Sequence, residues 1–225
     1  MNEKRVDLFD EWAETYDESV SGYEGFPFEG YDEVLGEIAR AADPRAGMLV
    51  LDLGIGTGRL AARFLEAGCS VWGLDFSVKM LAKAHERLPQ VELIKADVLG
   101  DWPIDRDKRF DRVVSGYVLH EFDLDSKVRL ISRLVNQHLS PSGRMVVGDI
   151  SFETAAEREA AKKRWSGSWD EARQKWQGSL WDEDEHYWAA DEAKRALSGL
   201  SLRVEYRQVS FCGGVYVIQP AIASE

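Results

Sequence analysis

The residues best placed to do chemistry are carboxylates and glycines gathered along the first half of the chain. Leu51-Asp52-Leu53-Gly54-Ile55-Gly56-Thr57-Gly58 sets an acidic side chain just ahead of three closely spaced glycines. Glycine permits unusual backbone dihedrals and lets a ligand lie directly against the main chain. A second carboxylate, Asp75, follows about 20 positions after the glycines, where it can accept hydrogen bonds from both hydroxyls of a ribose. A third, Asp97, is suited to an exocyclic adenine amine, with Val98 packing on the ring. His120 and Glu121 complete the series. An imidazole suits proton removal near neutrality, and the glutamate beside it can orient the ring or bind a cationic substrate.

Each of these groups must sit at a strand end to act together. Hydrophobic periodicity places strands at 48–53, 70–75, 91–96, 110–115 and 143–149, and helices at 57–67, 77–88 and about 124–138. Ser77 and Asp123 are the expected helix N-caps, and Gly68 and Gly143 punctuate helix-to-strand turns. Alternating strands and helices imply a parallel sheet covered on both faces. Two nearly contiguous runs, Leu202 to Ser210 and Phe211 to Ile218, suit a hairpin that adds one antiparallel strand, although Gly213-Gly214 is also a bulge signal. The expectation is a Rossmann-like, doubly wound α/β sheet of seven mostly parallel strands with an antiparallel C-terminal strand. In such sheets ligands bind outside the carboxyl ends of the strands.

The glycine spacing discriminates between ligands. A dinucleotide fingerprint requires G-x-G-x-x-G, whose last glycine serves close helix packing beside the pyrophosphate. Here the pattern is G-x-G-x-G, followed by Arg59 and Leu60. That departure, with Asp52 ahead of it, then Asp75, Ala96-Asp97, Phe110-Asp111 and Leu119-His120-Glu121, resembles the class I S-adenosylmethionine-dependent methyltransferases motif by motif over roughly residues 6 to 150. Phe9-x-x-Trp12-Ala13-x-x-Tyr16-Asp17 is similar to the lid of small bacterial members that act on small molecules. The resemblance implies S-adenosylmethionine as cofactor, held by Tyr16, Asp52, Gly54, Gly56, Asp75, Phe76, Asp97, Val98 and Ser115. Asp52 would help hold its ammonium, and Tyr16 would close over the methionyl end. His120 is then an acceptor-site residue and a candidate base, with Trp12, Glu121, Tyr187 and Trp188 toward the acceptor.

One domain fits 225 residues: N-terminal lid helices over 1–46, a cofactor-binding core over 47–150, a helical cap over 151–198 and a strand pair over 199–225. In the lid, Val6, Phe9, Trp12, Ala13 and Tyr16 define one amphipathic helix, an aromatic loop spans 21–30, and Tyr31, Val34, Leu35, Ile38 and Ala42 mark a second helix. The cap carries Trp165, Trp169, Trp176 and Trp181, then the acidic run Asp182 to Glu185. An aromatic stripe of this kind serves packing more often than recognition, yet it follows strand five and can roof an acceptor.

A formal net charge of -12 opposes the phosphate contacts on which nucleic-acid binding depends and disfavours an anionic membrane surface. The place after strand four reads Ser115-Gly116-Tyr117-Val118, without the N-P-P-Y-like or P-C element of DNA base methylation. Two cysteines, Cys69 and Cys212, and no export signal suit a cytoplasmic protein with buried thiols. His85 and His138 lack acidic partners at ligand spacing, so no metal site is expected from linear spacing. A small-molecule acceptor is the leading partner. A nicotinamide-dependent oxidoreductase accounts for Gly54, Gly56 and Asp75 but leaves Asp97 unused; a non-catalytic S-adenosylmethionine-binding module is the other alternative.

Overall fold

The computed structural model describes residues 3–164 and 185–221. Two short helices, α1 (Glu3–Trp12) and α2 (Tyr16–Val20), precede α3 (Tyr31–Ala42). The alternating core follows: β1 (Leu49–Leu53), α4 (Arg59–Glu66), β2 (Ser70–Asp75), α5 (Val78–Arg87), β3 (Glu92–Lys95), β4 (Phe110–Gly116), α6 (Leu124–Gln137) and β5 (Leu139–Phe152). Then come β6 (Trp188–Ala189), α7 (Ala190–Leu197), β7 (Leu202–Gln208) and β8 (Gly213–Pro220). The main path of the sheet runs β3-β2-β1-β4-β5-β8-β7. Strands β1 to β5 pair in parallel, and β8 runs antiparallel between β5 and β7. The short β6, absent from the sequence expectation, adds in parallel to the end of β5.

The topology follows from which residues can be buried. Val50 to Leu53 are buried on both faces, as an apolar run in a covered parallel sheet requires. One core packs Val34, Leu35 and Ile38 of α3 with Leu60 and Phe64 of α4 against one face; the other packs Leu130, Ile131 and Leu134 of α6 with Leu197 of α7 against the opposite face. All five expected α3 positions, Tyr31, Val34, Leu35, Ile38 and Ala42, are buried. Ser77 and Asp123 cap α5 and α6, accepting from the Met80 and Ser126 amides at 3.1 and 2.7 Å. Cys69 and Cys212 are free and buried.

Four expectations change. The N-terminal helix breaks at 13–15, where Trp12 Nε1 donates to Ser19 Oγ at 2.8 Å and Ser19 Oγ donates to the Tyr16 carbonyl. The break brings the Trp12 and Tyr16 rings together at 4.7 Å. Gly143 is not a turn residue: β5 already begins at Leu139, the pairing jumps from Phe110–Leu139 to Arg112–Arg144, and Gly143 occupies that irregularity against Leu139. Cys212 lies in the β7–β8 turn, not in a strand. The cap is not helical throughout. Residues 155–164 are helical, but Trp188 is in a strand, because its pairing to Ser151 extends the sheet. Trp165, Trp169, Trp176, Trp181 and Asp182 to Asp184 lie outside the described residues.

Candidate active site

Strand order reverses at β1, which has β2 on one side and β4 on the other; at such a switch point the loops after β1 and β4 diverge and open a crevice. Gly54 and Gly56 line it with φ of 68° and 53°, a region that L side chains rarely adopt. A Cβ on Gly54 would stand 2.4 Å from the Val118 side chain of the β4 loop, so that side chain lies directly on the bare backbone of Gly54. Asp75 ends β2 and reaches back: Oδ2 accepts from the Gly56 amide and Oδ1 from the Ser77 amide, both at 2.9 Å. Burial pushes its carboxyl up to about 6, and those amides temper the rise. Asp52 is 1% exposed, and neither carboxylate oxygen completes a hydrogen bond. Burial and then the nearby Asp75 hold its pKa well above the usual range, although the Ala61 amide works the other way.

Buried carboxylate oxygens without partners are costly. Asp52 therefore fits a cationic group brought by a ligand, and the left-handed glycines beside it fit a ligand laid on the backbone. Asp97 follows β3 next to Asp75: the Ala96 amide donates to the Asp75 carbonyl at 2.9 Å, and Asp97 Oδ1 accepts from the Leu99 amide at 2.9 Å.

The N-terminal helices close over these strand ends. Asp10 accepts from Ser77 Oγ, Asp17 accepts from Thr57 Oγ1 at 2.6 Å and pairs with Arg87, and Phe9 meets Phe76 edge-on at 5.4 Å. Inside them is an aromatic cluster. Tyr16 OH lies 3.4 Å from Tyr31 OH, and burial pushes the Tyr16 phenol up to about 12. Tyr31 stacks on Tyr117 at 4.8 Å, and Tyr117 holds φ of 56°, the strained conformation with which the chain leaves β4.

On the other side of the crevice, His120 lies in the short turn Leu119–Glu121 and is 7% exposed. Its Nδ1 is 2.6 Å from Asp149 Oδ1. Asp149 is fully buried within β5 and also accepts from the His120 amide (2.9 Å), the Ile150 amide (2.8 Å) and Trp188 Nε1 (3.2 Å). So fixed, it accepts a hydrogen bond from Nδ1 and leaves Nε2 facing Glu121 and Glu185 at 3.7 and 3.5 Å. Burial alone would lower the imidazole pKa; Asp149, Glu185 and Glu121 outweigh it and raise it to about 9. Arg5 of α1 closes the cluster, pairing with Glu121 and, at 3.2 Å, with Glu185.

The expected residues divide accordingly. Asp52, Gly54, Gly56 and Asp75 gather on one side of the crevice with Asp97 at the next strand end, Trp12 and Tyr16 join the aromatic cluster, and His120, Glu121 and Tyr187 gather on the other side. The Tyr187 ring lies 6.2 Å from that of His120. Three others have their side chains engaged within the protein. Ser115 is fully buried and donates to the Leu53 carbonyl at 3.1 Å, tying β4 to β1. Val98 is buried in the core among Ile104 and Leu130. Trp188 is 2% exposed, with its indole spent on Asp149 and its ring against Tyr216, so it braces the site from behind. Arg5 and Asp149 were not singled out in the sequence as site residues, and Glu185 stood out only as part of the acidic run Asp182 to Glu185. Asp149 carried a signal, an acidic residue interrupting the apolar end of β5 as Asp52 and Asp75 do for β1 and β2.

Comparison with known proteins agrees with this geometry. A methyltransferase-domain family matches residues 50–143. An uncharacterized methyltransferase of Geobacillus thermodenitrificans is 35% identical over 155 residues, 68% of this chain and 69% of that protein. The uncharacterized methyltransferase YrrT of Bacillus subtilis is 30% identical over 214 residues, 92% of this chain and 94% of that protein. Among solved structures, DhpI in complex with SAH superposes with a TM-score of 0.71 at 19% identity, over 97% of this chain and 96% of that one. A doubly wound sheet with bare glycines and carboxylates at its switch point defines a cofactor-binding enzyme of the Rossmann-like type. This chain belongs to the methyltransferase-domain family and is a class I S-adenosylmethionine-dependent methyltransferase. The nicotinamide-dependent alternative is thereby set aside. No helix of the described residues is long and apolar enough to cross a membrane.

Proposed function

We propose that the enzyme methylates a small molecule in the cytoplasm, with the cofactor across the ends of β1 to β3 and the acceptor beside His120. Asp52 would hold the methionyl ammonium, Asp75 the ribose hydroxyls and Asp97 the adenine amine, while Gly54 and Gly56 offer backbone to the methionyl chain. The cofactor supplies an activated methyl on a sulfonium. The protein's part is to align the acceptor and exclude water; alignment alone contributes up to about 7–11 kcal/mol. The aromatic cluster of Trp12, Tyr16 and Tyr31 suits both tasks, since aromatic faces tolerate a sulfonium cation.

The observation that carries this reading is the Asp149–His120 pair at 2.6 Å, which fixes an imidazole with Nε2 turned to the acceptor side. A net charge of -12 and a lid pinned at Asp10 and Asp17 favour a compact acceptor over a polymer. A methyl-release screen across metabolite classes tests it. A small molecule should turn over with wild type and far more slowly with His120→Ala, whose affinity for S-adenosylhomocysteine stays at the wild-type value. Turnover of tRNA or protein alone would overturn the proposal.

A further inference from the structure

The acceptor-side cluster has the form of a metal centre. His120, Glu121 and Glu185 each offer one ligand atom, and these atoms lie within 4.8 Å of one another. His120 Nε2 stands 3.7 Å from Glu121 Oε1 and 3.5 Å from Glu185 Oε2, contacts too long for good hydrogen bonds. Metal–ligand bonds of about 2.0–2.2 Å in tetrahedral array set their ligand atoms about 3.3–3.6 Å apart. Glu185 Oε2 is buried without a hydrogen-bond partner, on a side chain 7% exposed. Arg5 does not serve it, because the guanidinium engages Glu121 Oε2 and Glu185 Oε1, leaving one oxygen of each carboxylate turned toward the imidazole.

The surroundings of the cluster point the same way. Metal-binding histidines commonly give their other ring N–H to a carboxylate, and Asp149 takes that position on Nδ1. Formal charge also leaves room for a cation: the carboxylates of Glu121, Glu185 and Asp149 are set against the Arg5 guanidinium and the Lys127 ammonium, with an imidazole that is neutral when it ligates. Linear spacing could not disclose the set, since Glu185 arrives from the far side of the cap.

We propose that His120, Glu121 and Glu185 bind a first-row divalent cation of the Mn2+ or Zn2+ kind, which takes the methyl acceptor as a further ligand. One imidazole and two carboxylates suit such ions better than the harder Mg2+ or Ca2+. The ion would lower the pKa of an acceptor hydroxyl or thiol, whose proton leaves to water. The resulting anion then bonds to the methyl carbon as the carbon–sulfur bond breaks, leaving a neutral thioether. That role rests on the acceptor-side reading above; binding of the ion does not.

The full chain, stripped with EDTA and dialysed, is titrated with Mn2+ alone and followed by electron paramagnetic resonance. One ion per chain should bind, with nitrogen coupling from a directly bound imidazole in the pulsed spectrum. Glu185→Gln should weaken Mn2+ binding about 100-fold while far-UV circular dichroism and S-adenosylhomocysteine affinity stay unchanged. No binding of Mn2+ or Zn2+ at millimolar ion, a spectrum without nitrogen coupling, or unaltered affinity in a folded Glu185→Gln would overturn the site. If that variant does not fold, the wild-type nitrogen coupling decides alone. Nitrogen-coupled binding with turnover indifferent to EDTA would uphold the site and overturn its role.

Discussion

The two sides of the crevice use carboxylates in opposite ways. On the β1–β2 side, Asp52 completes no hydrogen bond and Asp75 accepts from backbone amides, including Gly56 and Ser77. On the β4–β5 side, every carboxylate faces a charged or ionisable side chain: Asp149 and Glu185 face His120, and Glu121 and Glu185 face Arg5. The first arrangement leaves both oxygens of a buried carboxylate for an incoming ligand; the second is held together by its own side chains and leaves only Glu185 Oε2 without a partner. Cofactor binding and acceptor activation should therefore respond to different substitutions.

The largest effect should come from the ribose position. Asp75→Asn keeps the shape and removes the charge, so affinity for S-adenosylhomocysteine by calorimetry should fall about 100-fold, or about 3 kcal/mol, on losing two charge-assisted hydrogen bonds. On the opposite side, Asp149→Asn should lower turnover about 10- to 100-fold by releasing His120, as loss of a residue orienting an imidazole generally does, with cofactor affinity unchanged. If instead it weakens cofactor binding as much as Asp75→Asn does, the two sides are one coupled unit.

Backbone comes next. Gly54→Ala must hold φ of 68° and displace Val118, which should cost about 1–3 kcal/mol and lower the melting temperature. Proton linkage gives a graded test. The Asp75 carboxyl, pushed up to about 6 by burial, must be ionised to accept both ribose hydroxyls. Affinity for S-adenosylhomocysteine should fall by up to about tenfold per unit as the pH drops below that value; an affinity that rises on acidification would contradict the assignment. The smallest effect belongs to the lid. Asp17→Asn removes a half-exposed pair with Arg87, so stability should change by less than about 1 kcal/mol.

What could be read in advance follows the same division. Asp52, Gly54, Gly56 and Asp75 belong to strand-end motifs whose hydrophobic periodicity and glycine spacing are local, so sequence places them directly. Asp97 and Val98 were legible as a strand end, but the side on which Val98 packs is decided by α6 across the sheet, and it went to the core. On the acceptor side, His120 and Glu121 were legible because they follow β4. Their partners were not. Arg5 comes from the lid, Asp149 from β5 and Glu185 from the cap, and no periodicity links positions so far apart. The strand at Trp188 was not legible for a related reason: two residues formed into a strand by pairing to β5 leave almost no pattern of their own.

The central claim is that a buried carboxylate deficit at Asp52 receives the cofactor's ammonium while the His120 centre stands apart. It is tested most directly by titrating S-adenosylhomocysteine into wild type, Asp52→Asn and His120→Ala in two buffers of different ionisation enthalpy. Wild type should release a proton on binding, because burial favours protonated Asp52 until a cation arrives. His120→Ala should match wild type in affinity and proton release, and Asp52→Asn should bind more weakly with no release. Equal affinity and proton release in wild type and Asp52→Asn, or a loss confined to His120→Ala, would contradict the account.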